Sequence, residues 1–251
     1  MMLTIYFETS AQLPPPYSYR YVLKLKPSFQ FFHADLQLIY THRDELDADE
    51  IEAEGFSEND DYQWRGNLEK IWRDTVEKLL SRTQIEATKE WEEDSDMLLL
   101  EWTPNDKTQK GIPQNREAWL YLAQELVQAI YETSGLERPF ELSVLDIQPK
   151  TTQQSTLTAS FKTRTAQIKQ VINGKSAVKF YPWESLSPLM EALYAPDWFA
   201  EKAQPEKPKR EGLYLNPGDG LWYEWGKQIV EVGERTEALP RLKDLIARLL
   251  G

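Results

Sequence analysis

Apolar and polar residues alternate along the first third of the chain, and this period of two is typical of β-strands. We predict three strands here, over residues 3–8, 17–26 and 29–42. The segment QLPPPYS separates the first two strands, because proline cannot donate to a central ladder. In the third strand the apolar positions change parity between Phe31 and Leu36, which predicts a bulge or bend near residues 33–35.

Further along, apolar residues recur at intervals of three and four, which is the spacing of a helix. The first such stripe consists of Leu68, Ile71, Trp72, Val76, Leu79 and Leu80. Residues 97–102 (MLLLEW) then predict a short strand, and residues 103–114 predict a loop from their Pro, Gly and Asn content. A second helix is predicted over residues 118–130, with Asn115 as its N-cap and Gly135 just beyond its end.

The second half of the chain returns to strand patterns. Residues 140–147 predict one strand, and LTASFKTR (residues 157–164) predicts another with one wet face, which favours an antiparallel sheet. On its polar face that strand would carry Lys162 and Arg164 beside Thr158 and Ser160. A short helix over residues 187–193 and a closing helix over residues 239–250 complete the pattern.

Two segments contain the residues of a two-residue hairpin turn. Asn173-Gly174 favours positive φ at both turn positions and predicts a hairpin in which neither face is cleanly apolar. The segment NPGDGLWYEWGKQIVEVG suggests a second hairpin around Gly226-Lys227, preceded by a turn at NPGDG. In that alignment Tyr223 faces Val230, and Trp222 lies on a mixed face where a partner could touch it.

These patterns together predict an α+β fold of mostly antiparallel β-sheet, with hairpins and about four main helices. We place an N-terminal α+β part at residues 1–148 and a hairpin-rich part with the closing helix at residues 149–251. A chain of 251 residues is also short enough for both parts to form one compact unit.

Composition narrows the classes of function. The chain has no cysteine, so disulfides, thiol nucleophiles and cysteine metal sites are excluded. The N-terminal residues lack the pattern of a signal peptide, and the longest aliphatic run, residues 97–100, is too short to cross a bilayer. We therefore expect a cytoplasmic protein without membrane contact.

Charge is segregated along the chain, whose formal net charge is −12. Residues 44–61 contain ten acids and no base, whereas residues 147–183 contain six bases and no acid. Such a distribution suggests that the two segments face each other, either within one chain or across a two-fold dimer. A solvated acidic loop and an ordinary wet sheet face are the simpler interpretations.

Sequence motifs for a metal or a cofactor are lacking, and we expect neither. His33 and His42 each begin an H-x-D triplet, but the unbroken strand pattern between them separates them by roughly 30 Å. The acidic segment fails the EF-hand pattern, because Ile51 and Glu52 stand where an acid and a glycine are required. Phosphate-loop, dinucleotide and nucleophile-elbow motifs are also missing from the sequence.

The favoured function is a non-enzymatic binding or scaffold protein that acts through protein contacts or self-association. The candidate binding residues are Lys162, Arg164, Lys169, Lys175, Lys179 and Trp222. A carboxylate-dependent hydrolase that uses His33 and Asp35 is the first alternative. The second is binding of an anion or single-stranded nucleic acid through residues 147–183, although the acidic chain as a whole opposes attraction to a polyanion.

Overall fold

A computed structural model describes residues 2–86, 94–103, 107–231, 233 and 237–251. Its strands are β1 (Leu3–Glu8), β2 (Tyr19–Pro27), β3 (Phe32–Tyr40), β4 (Tyr62–Leu68), β5 (Ile85–Glu86), β6 (Met97–Trp102), β7 (Gln109–Pro113), β8 (Phe140–Gln148), β9 (Thr151–Ser160), β10 (Thr165–Ile172), β11 (Lys175–Phe180), β12 (Asp197–Trp198), β13 (Gly212–Asn216), β14 (Tyr223–Glu224) and β15 (Ile229–Val230). Its α-helices are α1 (Ala48–Ala53), α2 (Lys70–Leu80), α3 (Arg116–Ser134), α4 (Leu186–Leu193) and α5 (Ala238–Leu250). The predicted α+β class with mostly antiparallel sheet is confirmed.

The chain divides into two compact units. The first unit comprises Met1–Glu137 and Phe161–Thr163, and the second comprises Arg138–Ser160 and Arg164–Gly251. Strand β8 belongs to the second unit, because it pairs with β9 and β13.

The first unit is built on a seven-stranded antiparallel sheet in the order β4-β3-β2-β1-β6-β7-β5. Alternate residues of its strands are buried on one face, where α2 and α3 pack. The largest fully buried side chains of this core include Trp72 of α2 and Trp119 of α3. Burial of such a ring typically contributes several kcal/mol, since Trp→Ala substitutions in cores cost about 3–5 kcal/mol.

Strand β3 corrects one prediction. It pairs with β2 without interruption from Phe32 to Tyr40, so no bulge occurs at residues 33–35. The change of parity arises instead because Phe29 and Phe31 precede the strand, in a turn where the Ser28 N–H donates to the Phe31 carbonyl at 2.9 Å. Both rings are exposed there rather than buried.

Three strands of the first unit, β4, β5 and β7, were not predicted. β4 ends at Leu68, so this residue belongs to a strand and α2 begins only at Lys70. β7 lies within the segment predicted as a loop, of which residues 104–106 are outside the described residues. Helix α3 matches its prediction, since Asn115 is the N-cap residue and Gly135 follows with φ of 79°.

The second unit holds a six-stranded antiparallel sheet in the order β11-β10-β9-β8-β13-β14, together with the small pair β12–β15. Helices α4 and α5 contact each other, and α5 also contacts β8 and β9. The core face of this sheet therefore includes Leu142, Leu157 and Ile168. No helix among the described residues is long and apolar enough to cross a membrane.

The two predicted hairpins have different outcomes. The Asn173-Gly174 hairpin forms as predicted, with Ile172 paired to Lys175 and both turn residues at positive φ (47° and 84°). At the second turn Gly226 has the predicted positive φ of 75°, but the flanking strands do not pair with each other as aligned. β14 pairs with β13 and β15 pairs with β12, so the predicted register is wrong.

Candidate binding edge

Strand β11 is the last strand of the second sheet and pairs along only one of its sides, with β10. The tight Asn173-Gly174 turn fixes the register of this hairpin, because two-residue turns with positive φ match the twist of the flanking strands. We call residues 175–180 the open edge, since the other side of the strand has no neighbour in the described sheet.

The direction of the backbone groups along the open edge follows from one hydrogen bond. The Tyr181 N–H donates to the carbonyl of Ala166 at 3.0 Å, so Tyr181 faces β10. Backbone direction alternates along an antiparallel strand, and Lys175, Ala177 and Lys179 therefore also face β10. The N–H and C=O groups of Ser176, Val178 and Phe180 consequently point away from the sheet.

The side chains of the open edge separate by chemistry. Val178 and Phe180 lie on one face of the strand and are 65% and 89% exposed. Lys175 and Lys179 lie on the opposite face, where they pair with Ile172 and Ile168. Apolar side chains this exposed contribute little to the folded chain, so their presence is typical of a contact surface.

The predicted basic residues do not converge on one surface. Lys169 pairs with Val178 and shares its face, which is opposite to the face of Lys175 and Lys179. Lys162 and Arg164 lie in the turn between β9 and β10 rather than on a strand, because β9 ends at Ser160 and β10 begins at Thr165. The prediction that both extend the polar face of β9 is therefore wrong.

Arg164 packs against a buried aromatic ring in this turn. Its φ is 51°, and its guanidinium lies 5.3 Å from the centroid of the Trp183 ring. Trp183 itself is buried, so the cation lies against the core rather than projecting from the hairpin.

Trp222 is buried. The prediction that it lies on a mixed face accessible to a partner is therefore wrong. The side chain is 8% exposed and packs in a cluster with Leu145 and Tyr214, against which Ile147 also packs. Trp222 precedes β14, and its backbone forms an antiparallel bridge with Gln204, in which the Trp222 N–H donates to the Gln204 carbonyl at 2.8 Å and the Gln204 N–H donates to the Trp222 carbonyl at 3.2 Å.

The glycine-rich segment before β14 is held by Asp219. Its Oδ1 accepts the Leu221 N–H at 2.8 Å, and its Oδ2 accepts the Tyr223 hydroxyl at 2.6 Å. Burial and this hydrogen bond with the nearby carboxylate raise the pKa of Tyr223 to about 12. Asp219 thus stabilises a turn, in agreement with the structural interpretation of the NPGDG segment.

The two histidine triplets are engaged with separate neighbours. His33 Nδ1 lies 3.3 Å from Asn67 Oδ1, while Asp35 forms an ion pair with Arg65 whose Nε–Oδ2 distance is 2.9 Å. His42 Nδ1 lies 3.1 Å from Glu45 Oε1. Within the part of the chain that the structure describes, no three potential histidine or carboxylate ligands cluster as a metal site.

The acidic segment of residues 44–61 is folded rather than extended. It contains α1, which begins with a capping box between Asp47 and Glu50. At its end the Asp60 carboxylate accepts from buried Arg43 at 2.7 Å. Hydrogen bonds from Ser57 and this arginine keep the pKa of Asp60 below its ordinary value, although partial burial opposes them.

The open-edge residues Val178 and Phe180 were not among the predicted site residues. Their signal was present in the sequence, since the hairpin register places apolar residues and lysines on both of its faces. Which side of the hairpin would lack a neighbour depends on the strand order, which the local pattern does not specify.

No known protein family, curated protein or solved structure matches this chain.

Proposed function

We propose that this protein binds an extended segment of a partner protein, which adds as a further strand to the open edge. The observation that carries the proposal is the combination of outward backbone groups at Ser176, Val178 and Phe180 with two strongly exposed apolar side chains. An exposed edge of this kind is a template for pairing with another chain, and strand addition uses such edges for recognition.

The side chains of the open edge indicate the chemistry of the partner. Lys175 and Lys179 lie on one face, four residues apart, and favour acidic residues at the opposing positions of an added strand. Val178 and Phe180 favour apolar residues on the other face. The partner segment is therefore an extended one in which acidic and apolar residues alternate.

The charge of the surrounding sequence supports an acidic partner. Residues 147–183 carry six bases and no acid, so the hairpin attracts negative charge even though the chain is acidic overall. Exposed ion pairs contribute about 0–1 kcal/mol each, and the main-chain bonds would carry most of the affinity.

Hydrogen exchange with a designed peptide tests the proposal. The peptide carries Glu opposite Lys175 and Lys179 and Val opposite Val178 and Phe180, and the control peptide has Lys in place of each Glu. Addition of the strand should slow exchange of the Ser176, Val178 and Phe180 amides, which point outward in the free protein. The amides of Lys175, Ala177 and Lys179 already face β10 and should change little.

A proline variant separates strand addition from side-chain contact. Val178→Pro removes an outward N–H without removing a bond to β10, whereas Val178→Thr keeps that N–H. The first variant should lose peptide binding and the second should retain it. Binding that survives Val178→Pro, or protection that appears elsewhere in the chain, would contradict the proposal.

Self-association is a distinct outcome of the same experiment. Concentration-dependent protection of the outward amides in the absence of peptide, with a dimeric mass in sedimentation, would mean that the occupant is a second copy. The hypothesis that residues 44–61 meet the basic hairpin of another copy predicts instead a salt-sensitive dimer that Lys169→Glu/Lys175→Glu/Lys179→Glu abolishes.

The alternative functions have less support. Asp35 is held by Arg65, which leaves the proposed hydrolase pair without a free carboxylate. For nucleic acid, Phe161 and Trp183 are buried and only Phe180 of the hairpin's aromatic residues is strongly exposed, so a stack of several bases has few platforms.

A further inference from the structure

A cavity of about 370 Å³ lies in the first unit between its sheet and α3. Its walls are mainly aromatic, and we call it the tyrosine pocket; its lining comprises Phe7, Tyr19, Tyr21, Leu38, Tyr40, Gln124, Val127, Gln128 and Tyr131. Its volume falls within the range of small-molecule sites, about 300–1,000 Å³.

Strand register brings these rings together. Phe7 of β1 pairs with Tyr21 of β2, and Tyr19 pairs with Tyr40 of β3, so the rings share one face of adjacent strands. Phe7 and Tyr21 stack with centroids 4.9 Å apart, and Tyr19 and Tyr21 stack at 6.5 Å. Tyr131 contributes the opposite wall from α3, where it meets Tyr62 edge to face at 5.2 Å.

The phenols of the pocket stay uncharged at neutral pH. Burial raises the pKa of Tyr19 and Tyr21, and the charge of Asp96 raises both further. Burial likewise raises the pKa of Tyr131, to which the charge of Glu137 adds. The walls therefore present neutral π-faces and hydroxyl groups.

Charges of both signs act on the pocket. Burial raises the pKa of Tyr40, Arg43 lowers it, and Asp60 and Asp61 raise it. The guanidinium of Arg43 lies 3.9 Å from the Tyr40 ring centroid but is itself paired with Asp60. With Asp96 and Glu137 near the other tyrosines, the field inside the pocket favours positive charge.

We propose that the tyrosine pocket binds a small organic cation with an apolar body, such as a quaternary or alkylated ammonium. Tyrosine faces attract such cations through their ring quadrupoles, and several faces around one cavity form an aromatic cage. The acidic surroundings strengthen the attraction and disfavour an anionic ligand of the same size. This binding is independent of strand addition at the open edge.

A pair of matched probes tests the charge preference. Choline and 3,3-dimethylbutan-1-ol have nearly the same shape, but only choline is charged. We expect choline to bind at least about fivefold more tightly in titrations followed by NMR, with shifts in Tyr19, Tyr40 and Tyr131. Equal affinity for the two probes, or shifts confined to other residues, would overturn the proposal.

Ring variants test whether the pocket is the site. Tyr131→Leu removes one wall and should weaken choline binding at least about fivefold, whereas Tyr131→Phe keeps the ring and should retain it. Tyr194→Leu alters an exposed tyrosine of the second unit and serves as the control. If Tyr131→Leu leaves the affinity unchanged, the cation binds elsewhere.

A charge variant provides a second test that does not depend on removing a ring. Glu137→Gln keeps a side-chain oxygen for its hydrogen bond from Gln128 but removes the charge. It should weaken choline binding and leave the neutral alcohol unaffected. Glu211→Gln makes the same charge change in the second unit and should affect binding of neither probe. If both variants weaken choline binding equally, the local field of the pocket is not the cause.

Discussion

The strands at the ends of the two sheets differ in how they are covered. On β4, the exposed positions carry polar residues such as Arg65, and the Trp64 ring lies over Gly66 of the same strand. On β14, Tyr223 donates a hydrogen bond to Asp219 and packs edge to face against Trp198, with ring centroids 4.9 Å apart. β11 instead exposes Val178 and Phe180. The residues that cover β4 and β14 also stabilise the fold. Substitutions at these covered edges should therefore lower the free energy of unfolding, whereas substitutions at β11 should weaken binding of a partner.

The largest effect is expected at β5, the far end of the first sheet. A Cβ atom on Gly111 of β7 would overlap the Glu86 carbonyl oxygen and the Ile85 side chain, so Gly111→Ala requires β5 to move. Overpacking of this kind costs about 1–3 kcal/mol. We expect a loss near the upper end of this range, because one of the overlapped atoms belongs to the backbone and cannot rotate away. Urea unfolding should show a lower midpoint, while Gln37→Ala on the exposed side of β3 should leave it unchanged.

The turn after β14 should be the next most sensitive position. Gly226 has a φ of 75° and open space where a Cβ would lie, so Gly226→Val is opposed by backbone strain alone. We expect a loss of about 1–2 kcal/mol, because a β-branched residue resists the left-handed region. An unchanged denaturant midpoint would mean that the turn adapts without strain.

At β4, Gly66→Ala should have a smaller effect. The added methyl group would displace the Trp64 ring, but a half-buried side chain can rotate where a backbone cannot. We expect a loss of about 1 kcal/mol. Gly66→Ala should also shift tryptophan emission to the red. The shift should be absent when Gly66→Ala is introduced into Trp64→Phe, which would identify Trp64 as the ring responsible.

At β14 the titration of Tyr223 measures the contact with Asp219. Burial and then the hydrogen bond to Asp219 raise the folded-state pKa of Tyr223 to about 12, above the unfolded value of about 10. The contribution of this neutral hydroxyl to stability is therefore fully present below pH 10 and is lost as pH rises through 12. Asp219→Asn should lower the pKa, as followed by NMR of the labelled ring carbon. If the pKa stays near 12, burial alone accounts for the shift.

The smallest change in stability is expected at the open edge. Phe180→Ser removes an apolar side chain that is 89% exposed and should alter the free energy of unfolding by no more than about 0.5 kcal/mol. The same variant should weaken binding of the alternating acidic and apolar peptide. A loss above about 1 kcal/mol would show that the ring packs against the fold, and the contrast with β4 would fail.

The sequence predicted the fold best where local chemistry decides the structure. Asn173-Gly174 determines its own hairpin and register, and Gly135 ends α3, because both depend on neighbouring residues alone. The alignment around Gly226 failed because β13 and β12, which are distant in sequence, provide the partners for the flanking strands. β4 was missed although Tyr62, Trp64 and Leu68 alternate with polar residues, and β7 was missed because its sequence, QKGIP, contains the glycine and proline that are typical of a loop.

The candidate sites show the same division. The hairpin that carries Lys169, Lys175 and Lys179 was predictable, and so was the mixture of apolar and basic residues on its faces. That β11 would be the end of the sheet was not, because strand order is a property of the whole unit. The tyrosine pocket could not be predicted from the sequence either, since it joins Phe7, Tyr40 and Tyr131 from three separate elements.

The two lysines of β11 have a consequence for handling the protein in concentrated solution. Lysine on an exposed strand opposes growth of one chain on another, and here Lys175 and Lys179 lie on the face opposite Val178 and Phe180. Their repulsion is screened at high salt. Concentrated stocks should therefore stay clear in dilute neutral buffer and become turbid at high salt, with aggregates that bind cross-β dyes.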